Sequence, residues 1–293
     1  MAKRVVLIGH PVAHSLSGVL QQAAFDALAI DAVYEPLDRP LMELPESIAA
    51  LRGDEYLGAN ITVPFKERVV PMVDRTTEEA HATGAVDTIT REGARLVGHN
   101  TDVLGFRPAL DSLVGKQRMP KLAVVLGAGG GARAVVYGLI TAGFQHVIVF
   151  NRHLHRGEAL VRHFAKSAAH MELKAKPWHE SVLEAELSRT KVLINASSVG
   201  RVADETPIPA ELLPPDLLVL DLLYTPKETR LVREARAAGA TSAVNGDMML
   251  IHQTAAAFRL WTGQQAPLDL LAERLDIARD ADVPATGSDT PDA

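Results

Sequence analysis

A chain of 293 residues, 47% hydrophobic and with 17 prolines and 21 glycines, is long enough for two packed cores of ordinary size. A formal charge of -6 argues against nucleic acid or an anionic membrane as the main partner and leaves a small molecule held by a few local groups. The lack of cysteine excludes disulfides, zinc–cysteine sites, iron–sulfur clusters and thiol nucleophiles, and it fits a reducing cytoplasm.

Short β-branched runs alternate with stretches of helical periodicity, which predicts an α/β class with parallel sheets. The N-terminal apolar run Val5 to Gly9 meets His10-Pro11 too soon for a signal peptide, and no later run is long enough to span a membrane. Without an export signal, the sequons at Asn60 and Asn195 need a reading other than glycosylation. In the first third, strands are predicted at Arg4 to Gly9, Ala32 to Leu37 and Leu57 to Val63, with helices at Gly18 to Ala29 and Leu41 to Leu51. Val86 to Thr90 and Arg95 to His99 read as a hairpin.

The middle third repeats the alternation: strand Lys121 to Leu126, helix from Gly130, strand His146 to Phe150, helix from His155, strands Val192 to Ile194 and Leu217 to Leu222. This predicts a second sheet, with the domain change between Gly105 and Pro120. The helix Met248 to Trp261 has no strand left to cover there and is expected to fold back on the first domain. The expected division is residues 1–104 with 246–279, then 105–245, then a disordered tail at 280–293 rich in Asp, Pro, Thr and Ser.

Gly127-Ala128-Gly129-Gly130-Gly131-Ala132 follows an apolar strand and opens a helix, the context in which G-x-G-x-x-A predicts a Rossmann-type dinucleotide site. Gly127 permits the turn, Gly129 the approach of a diphosphate, and Ala132 the packing of helix on strand. The next strand ends Phe150-Asn151-Arg152 without the acidic residue that would hold the ribose of NAD. Arg152 and Arg156, four residues apart, can face one phosphate, so NADP (NADPH) is the expected cofactor. His153 and His155 form the tightest pair among eleven histidines, but no acidic third ligand stands near and no metal site is expected.

In the first domain, Ser15-Leu16-Ser17, Asn60 to Lys66, Gly84 to Thr88 and Asn100-Thr101-Asp102 place polar residues at strand ends and turns, where open α/β sheets present ligands. Gly9 to Ser17, Gly58 to Glu67 and Gly98 to Asp102, together with the glycine turn and Asn151-Arg152, Asn195 to Gly200, Asp221 to Pro226 and His252-Gln253, resemble the shikimate dehydrogenase family over nearly the whole chain.

The resemblance implies NADP-dependent, reversible reduction of a small cyclic keto acid, 3-dehydroshikimate, with Lys66 and Asp102 as the catalytic pair. It implies that Ser15 and Ser17 hold the carboxylate, that Asn60, Thr62, Asp87 and Gln253 meet ring hydroxyls, and that Tyr224 lies near the substrate. Asn151, Ser197, Val199, Leu222, Gly246 and Met248 would join the glycine turn and the arginines around the cofactor. Lysine suits the task, because hydride addition leaves negative charge on an oxygen that a donor must stabilise and protonate. Read alone, Asp102 is equally a helix N-cap and Ser17 a cap for the helix from Gly18.

The family usually has asparagine at position 87. An amide donates and accepts whereas a carboxylate only accepts, so Asp87 raises the alternative of a quinate or aminoshikimate dehydrogenase. Gly18, Gln21, Val103 and His153 also depart from the usual proline, histidine, glycine and threonine. A non-catalytic sensor of the cofactor or of a metabolite is the alternative of a different class, which retention of Lys66 and Asp102 opposes. Monomer or homodimer is expected.

Overall fold

The computed structural model describes residues 2–13, 15–202 and 204–280. Its first part runs β1 (Lys3–Gly9), α1 (Ser17–Ala27), β2 (Ala32–Asp38), α2 (Leu44–Ala50), β3 (Tyr56–Ile61), β4 (Arg75–Thr76), α3 (Glu78–Thr83), β5 (Thr88–Glu92) and β6 (Arg95–His99). The long α4 (Thr101–Val114) leads to β7 (Leu122–Leu126), α5 (Gly130–Thr141), β8 (His146–Phe150), α6 (Leu154–His163), β9 (Glu172–Lys176), α7 (Glu180–Leu187), β10 (Val192–Asn195), β11 (Leu218–Asp221), α8 (Arg230–Ala237) and β12 (Ser242–Val244). Helices α9 (Asp247–Thr262) and α10 (Leu268–Asp280) close the described chain. The tail expected from 280 onward lies, beyond Asp280, outside the described residues.

Two sheets form. The first has the order β2-β1-β3-β5-β6-β4, parallel where β1 meets β2 and β3 and antiparallel through β3, β5 and β6. The second has the order β12-β11-β10-β7-β8-β9 and is parallel throughout. Counted from β7, that is the Rossmann strand order, and the direction of winding reverses between β7 and β10, where such sheets bind their ligands.

Each sheet has a core on both faces. Val5, Leu7, Leu20 and Phe25 pack with Leu250, Phe258 and Trp261 of α9, and the Phe25 and Phe258 rings lie 5.4 Å apart. Trp261 Nε1 donates to the Ile89 carbonyl at 2.9 Å, fastening α9 to β5. The last long helix therefore returns to the first sheet, as its lack of a strand to cover predicts. Burying each such side chain contributes about 1.5–3 kcal/mol.

Helix α4 serves both halves. Phe106, Leu110 and Leu113 enter the core of the second sheet, while Gly105 lets α9 approach so closely that a Cβ there would fall 2.4 Å from the Met249 carbonyl. No helix among the described residues is long and apolar enough to cross a membrane.

Candidate active site

The C-terminal edges of the two sheets face each other across a cleft of about 340 Å³. From the first half Ser15, Ser17, Asn60, Thr62, Lys66, Asp87 and Asp102 line it, and from the second Gly129, Gly130, Gly131, Arg156, Ser197, Leu222, Tyr224 and Gly246, with Gln253 from α9.

Lys66 follows β3 in a short turn that Phe65 anchors, its side chain fully buried among Ile8, Ile61 and Val69. The Phe65 amide donates to Thr62, and the Val86 amide to the Lys66 carbonyl at 2.8 Å, so the backbone leaves the lysine little freedom. Its Nζ donates to Asp102 Oδ2 at 2.5 Å. Burial works against the Lys66 ammonium, but the carboxylates of Asp102 and Asp87 outweigh it and hold the lysine above its ordinary value. Burial, reinforced by Asp87 and opposed by Lys66, raises Asp102.

Asp102 does not cap its helix. Asn100 is the N-cap of α4, its side chain accepting from the Val103 amide at 3.1 Å, which leaves the Asp102 side chain in the first helical turn free to reach Lys66. Ser17 does not cap α1 either, since the N-cap is Leu16 and no side chain fills the place. Ser15 Oγ instead accepts the Ser17 amide at 3.3 Å, bringing both hydroxyls to the cleft wall.

Asp87 is buried, and its partners explain the carboxylate. Oδ1 accepts from the Thr101 amide, the Thr101 hydroxyl and the Thr88 hydroxyl at 2.8, 2.7 and 2.8 Å, and Oδ2 from the Asp102 amide at 2.8 Å. All of these groups donate, as suits an acceptor-only side chain at the positive end of a helix. Asn60 belongs to the same network: Nδ2 donates to Thr88 Oγ1 at 3.0 Å, and Oδ1 accepts from Tyr34 at 2.8 Å. Burial pushes the Tyr34 phenol up, so it remains a donor. Tyr34 has no signal in the sequence beyond an aromatic in a strand. Asn60 and Asn195, the two sequon asparagines, are both buried.

The glycine turn suits a diphosphate. Gly127 has φ +105°, and a Cβ there would lie 2.8 Å from the Ala196 carbonyl. At Gly129 a Cβ would meet nothing within 4 Å, so that face of the turn is open. Helix α5 begins with no side-chain cap and no acidic residue in its first turn, leaving its amides for an anion. Ala128 and Ala132 are buried under the turn. Asn151 and Arg152 follow β8 outside the cleft wall, Asn151 Nδ2 closing the corner on the His153 carbonyl at 2.9 Å. Arg152 is exposed, and Arg156 enters the cleft from the first turn of α6.

Val199 and Met248 are exposed and do not line the cleft. Met248 borders a second cavity of about 260 Å³ beside α4 and α8, while its neighbour Met249 faces the cleft. Ser198 and Leu223 also line the cleft, as do Arg201 and Leu250, which lie in none of the sequence motifs. Arg133 in α5 joins the halves: it pairs with Glu67 at 2.8 Å and donates to the Thr83 carbonyl at 2.9 Å.

An α/β dehydrogenase of two domains, with a nicotinamide-nucleotide turn facing a lysine–aspartate pair, is the class this fold and cleft define. Residues 7–89 match the shikimate dehydrogenase substrate binding domain, 113–205 the shikimate / quinate 5-dehydrogenase domain and 249–275 the shikimate 5'-dehydrogenase C-terminal domain. The chain is 41% identical over 268 residues to the shikimate dehydrogenase (NADP(+)) of Salinibacter ruber, covering 90% of this chain and 93% of that one. It is 40% identical to the enzyme of the same name from Haloarcula marismortui, covering 92% and 97%. The structure of shikimate 5-dehydrogenase from Thermus thermophilus in complex with NADP(H) and shikimate superposes with a TM-score of 0.82 at 38% identity, covering 94% of this chain and 99% of that one. The chain belongs to the shikimate dehydrogenase family.

Proposed function

We propose that this protein is an NADP-dependent shikimate dehydrogenase, reversibly reducing 3-dehydroshikimate to shikimate, and that Lys66 and Asp102 are its catalytic pair. The observation that carries the reading is the 2.5 Å contact between them on the cleft wall, with Lys66 packed against Gly130 of the nucleotide turn. Residues 1–104 with 246–279 form the substrate half in this reading, and 105–245 the nucleotide half.

Gly127 to Ala132, Asn151, Arg152, Arg156, Ser197, Leu222 and Gly246 would hold NADP, which when bound supplies the hydride or accepts it. The remaining chemistry is the protein's own. Lys66, held as the ammonium, donates a proton to the oxygen on which reduction leaves negative charge. In the reverse direction the proton passes from the carbinol to the pair, with Asp102 keeping the amine in place. Ser15 and Ser17 take the carboxylate, and Asn60, Thr62 and Gln253 the ring hydroxyls. The saturation of Asp87 by donors of the protein favours a structural part for it and gives no ground for a quinate or aminoshikimate enzyme. The reading includes a cytoplasmic enzyme, monomer or homodimer, with no nucleic-acid or membrane partner.

Mixing purified protein with shikimate and NADP+ and following NADPH absorbance tests it. Turnover with shikimate well above that with quinate is expected, and none with shikimate would overturn it.

A further inference from the structure

The carboxylate of Asp221 is fully buried at the end of β11, and Asn195 is fully buried beside it at the end of β10. Asn195 Nδ2 donates to Asp221 Oδ1 at 2.9 Å. The remaining bonds of Asn195 shape the loop that follows it: Oδ1 accepts from the Ser197 amide and hydroxyl at 3.1 and 2.7 Å, and Nδ2 donates to the Val199 carbonyl at 3.0 Å. Asp221 organises the adjoining loop, Oδ1 accepting the Leu223 amide at 3.1 Å and Oδ2 the Thr229 hydroxyl at 2.8 Å. Ser197, Leu222 and Leu223 line the cleft opposite the glycine turn.

We propose that Asp221 is a positioning residue for the nicotinamide cofactor, fixing through Asn195 and the Leu223 amide the two loops that face the glycine turn. This rests on the NADP reading of the cleft. Three donors converge on Asp221, and an ionised carboxylate accepts from all of them. A neutral one must carry its proton on Oδ2, where the Thr229 hydroxyl can receive it, because neither the Asn195 amide nitrogen nor the Leu223 N–H can.

Burial pushes Asp221 up to about 6, against the hydrogen bonds of Thr229, Leu223 and Asn195 that draw it down. The nearby charges have other partners: Arg230 pairs with Glu234, Arg236 with Glu228, and Lys227 with Asp276 and Asp280. Among the described residues no ionic partner acts on Asp221. Because burial raises Asp221, the ordered loops hold its proton more tightly than opened, solvated ones would, so their order is fullest in acid and weakens as pH rises through about 6.

Calorimetric titration of NADP+ into wild type and Asp221→Asn, from pH 5 to pH 8, tests this without needing turnover. Asparagine mimics the protonated acid. The variant is expected to bind NADP+ several-fold more tightly than wild type at pH 8, with the ratio closing toward one near pH 5, where the wild-type acid is neutral, and to lose no thermal stability. A ratio near one throughout, or a constant one, overturns the proposal. Thr229→Val provides an independent arm, since losing its hydroxyl takes a bond from the ionised carboxylate and raises Asp221 further: its affinity should fall furthest below wild type at pH 8 and least near pH 5. Equal affinities throughout would overturn the proposal even if Asp221→Asn fails to fold. Wild type that binds no NADP+ at any pH would overturn the reading of the cleft itself.

Discussion

The carboxylate of Asp87 accepts the backbone N–H of Asp102 at 2.8 Å, so one buried acid holds in place the residue that grips Lys66. The negative charge of Asp87 also raises both members of the pair. Its role is thus positional and electrostatic together.

Replacing Asp87 with asparagine turns its NH2 toward the backbone N–H of Thr101 or of Asp102, neither of which can receive it, and leaves that N–H unpaired at a cost of about 1–3 kcal/mol. The loss of charge lowers both Lys66 and Asp102. The alkaline fall in kcat for reduction of 3-dehydroshikimate by NADPH, where Lys66 loses its proton, should therefore move to lower pH in Asp87→Asn, while the preference for shikimate over quinate in the reverse direction stays. An unmoved limb with a switched substrate preference would mean that Asp87 reads the substrate directly.

Glycines 129 and 130 are adjacent and should fail differently. A Cβ at Gly130 would fall 2.9 Å from Lys66 Cβ and 3.1 Å from its Cδ, whereas at Gly129 it would meet nothing. Gly130→Ala is expected to lower kcat roughly tenfold or more by displacing the lysine. Gly129→Ala should keep its kcat and raise the KM for NADP+, because its open face is where a diphosphate approaches. Steady-state kinetics of the two variants in parallel distinguish these effects, and identical behaviour would contradict the geometry.

The general plan was legible in the sequence because both sheets are built of β-branched runs with a helix between them, and the glycine turn announces the second. What escaped was short or polar. Strand β9, Glu-Leu-Lys-Ala-Lys, is an edge strand with few buried positions, and α3 is six residues long, too short for a periodic signal. At the site, Lys66 and Asp102 stood out through their motifs. Tyr34 and Arg133 did not, because each acts through a contact between residues distant in the chain, Tyr34 on Asn60 and Arg133 on Glu67, and for the same reason the motifs that Asn195 and Asp221 open gave no sign that the two pair. The cap assigned to Asp102 belonged to Asn100, two residues earlier, a displacement that spacing alone does not resolve.

Arg156 enters the cleft from the uncapped start of α6, and Arg152 stands just before it. If they hold the additional phosphate of NADP, Arg156→Ala should raise the KM for NADP+ by roughly tenfold to a hundredfold, one to two charge-assisted hydrogen bonds, and leave that for NAD+ nearly unchanged. Parallel titrations with the two cofactors check this. An equal loss for both would place Arg156 on the shared diphosphate instead.

The most direct measurement is single-turnover oxidation of shikimate by NADP+ in wild type and Lys66→Met, which keeps the length of the side chain and removes the amine through which the proton moves. Wild type should turn over, and the variant should lose about 10²–10⁴ in rate, the usual share of general acid–base catalysis, with its NADP+ affinity changed less than about twofold. A variant that oxidises shikimate at the wild-type rate would contradict the assignment of the reaction to the Lys66–Asp102 pair.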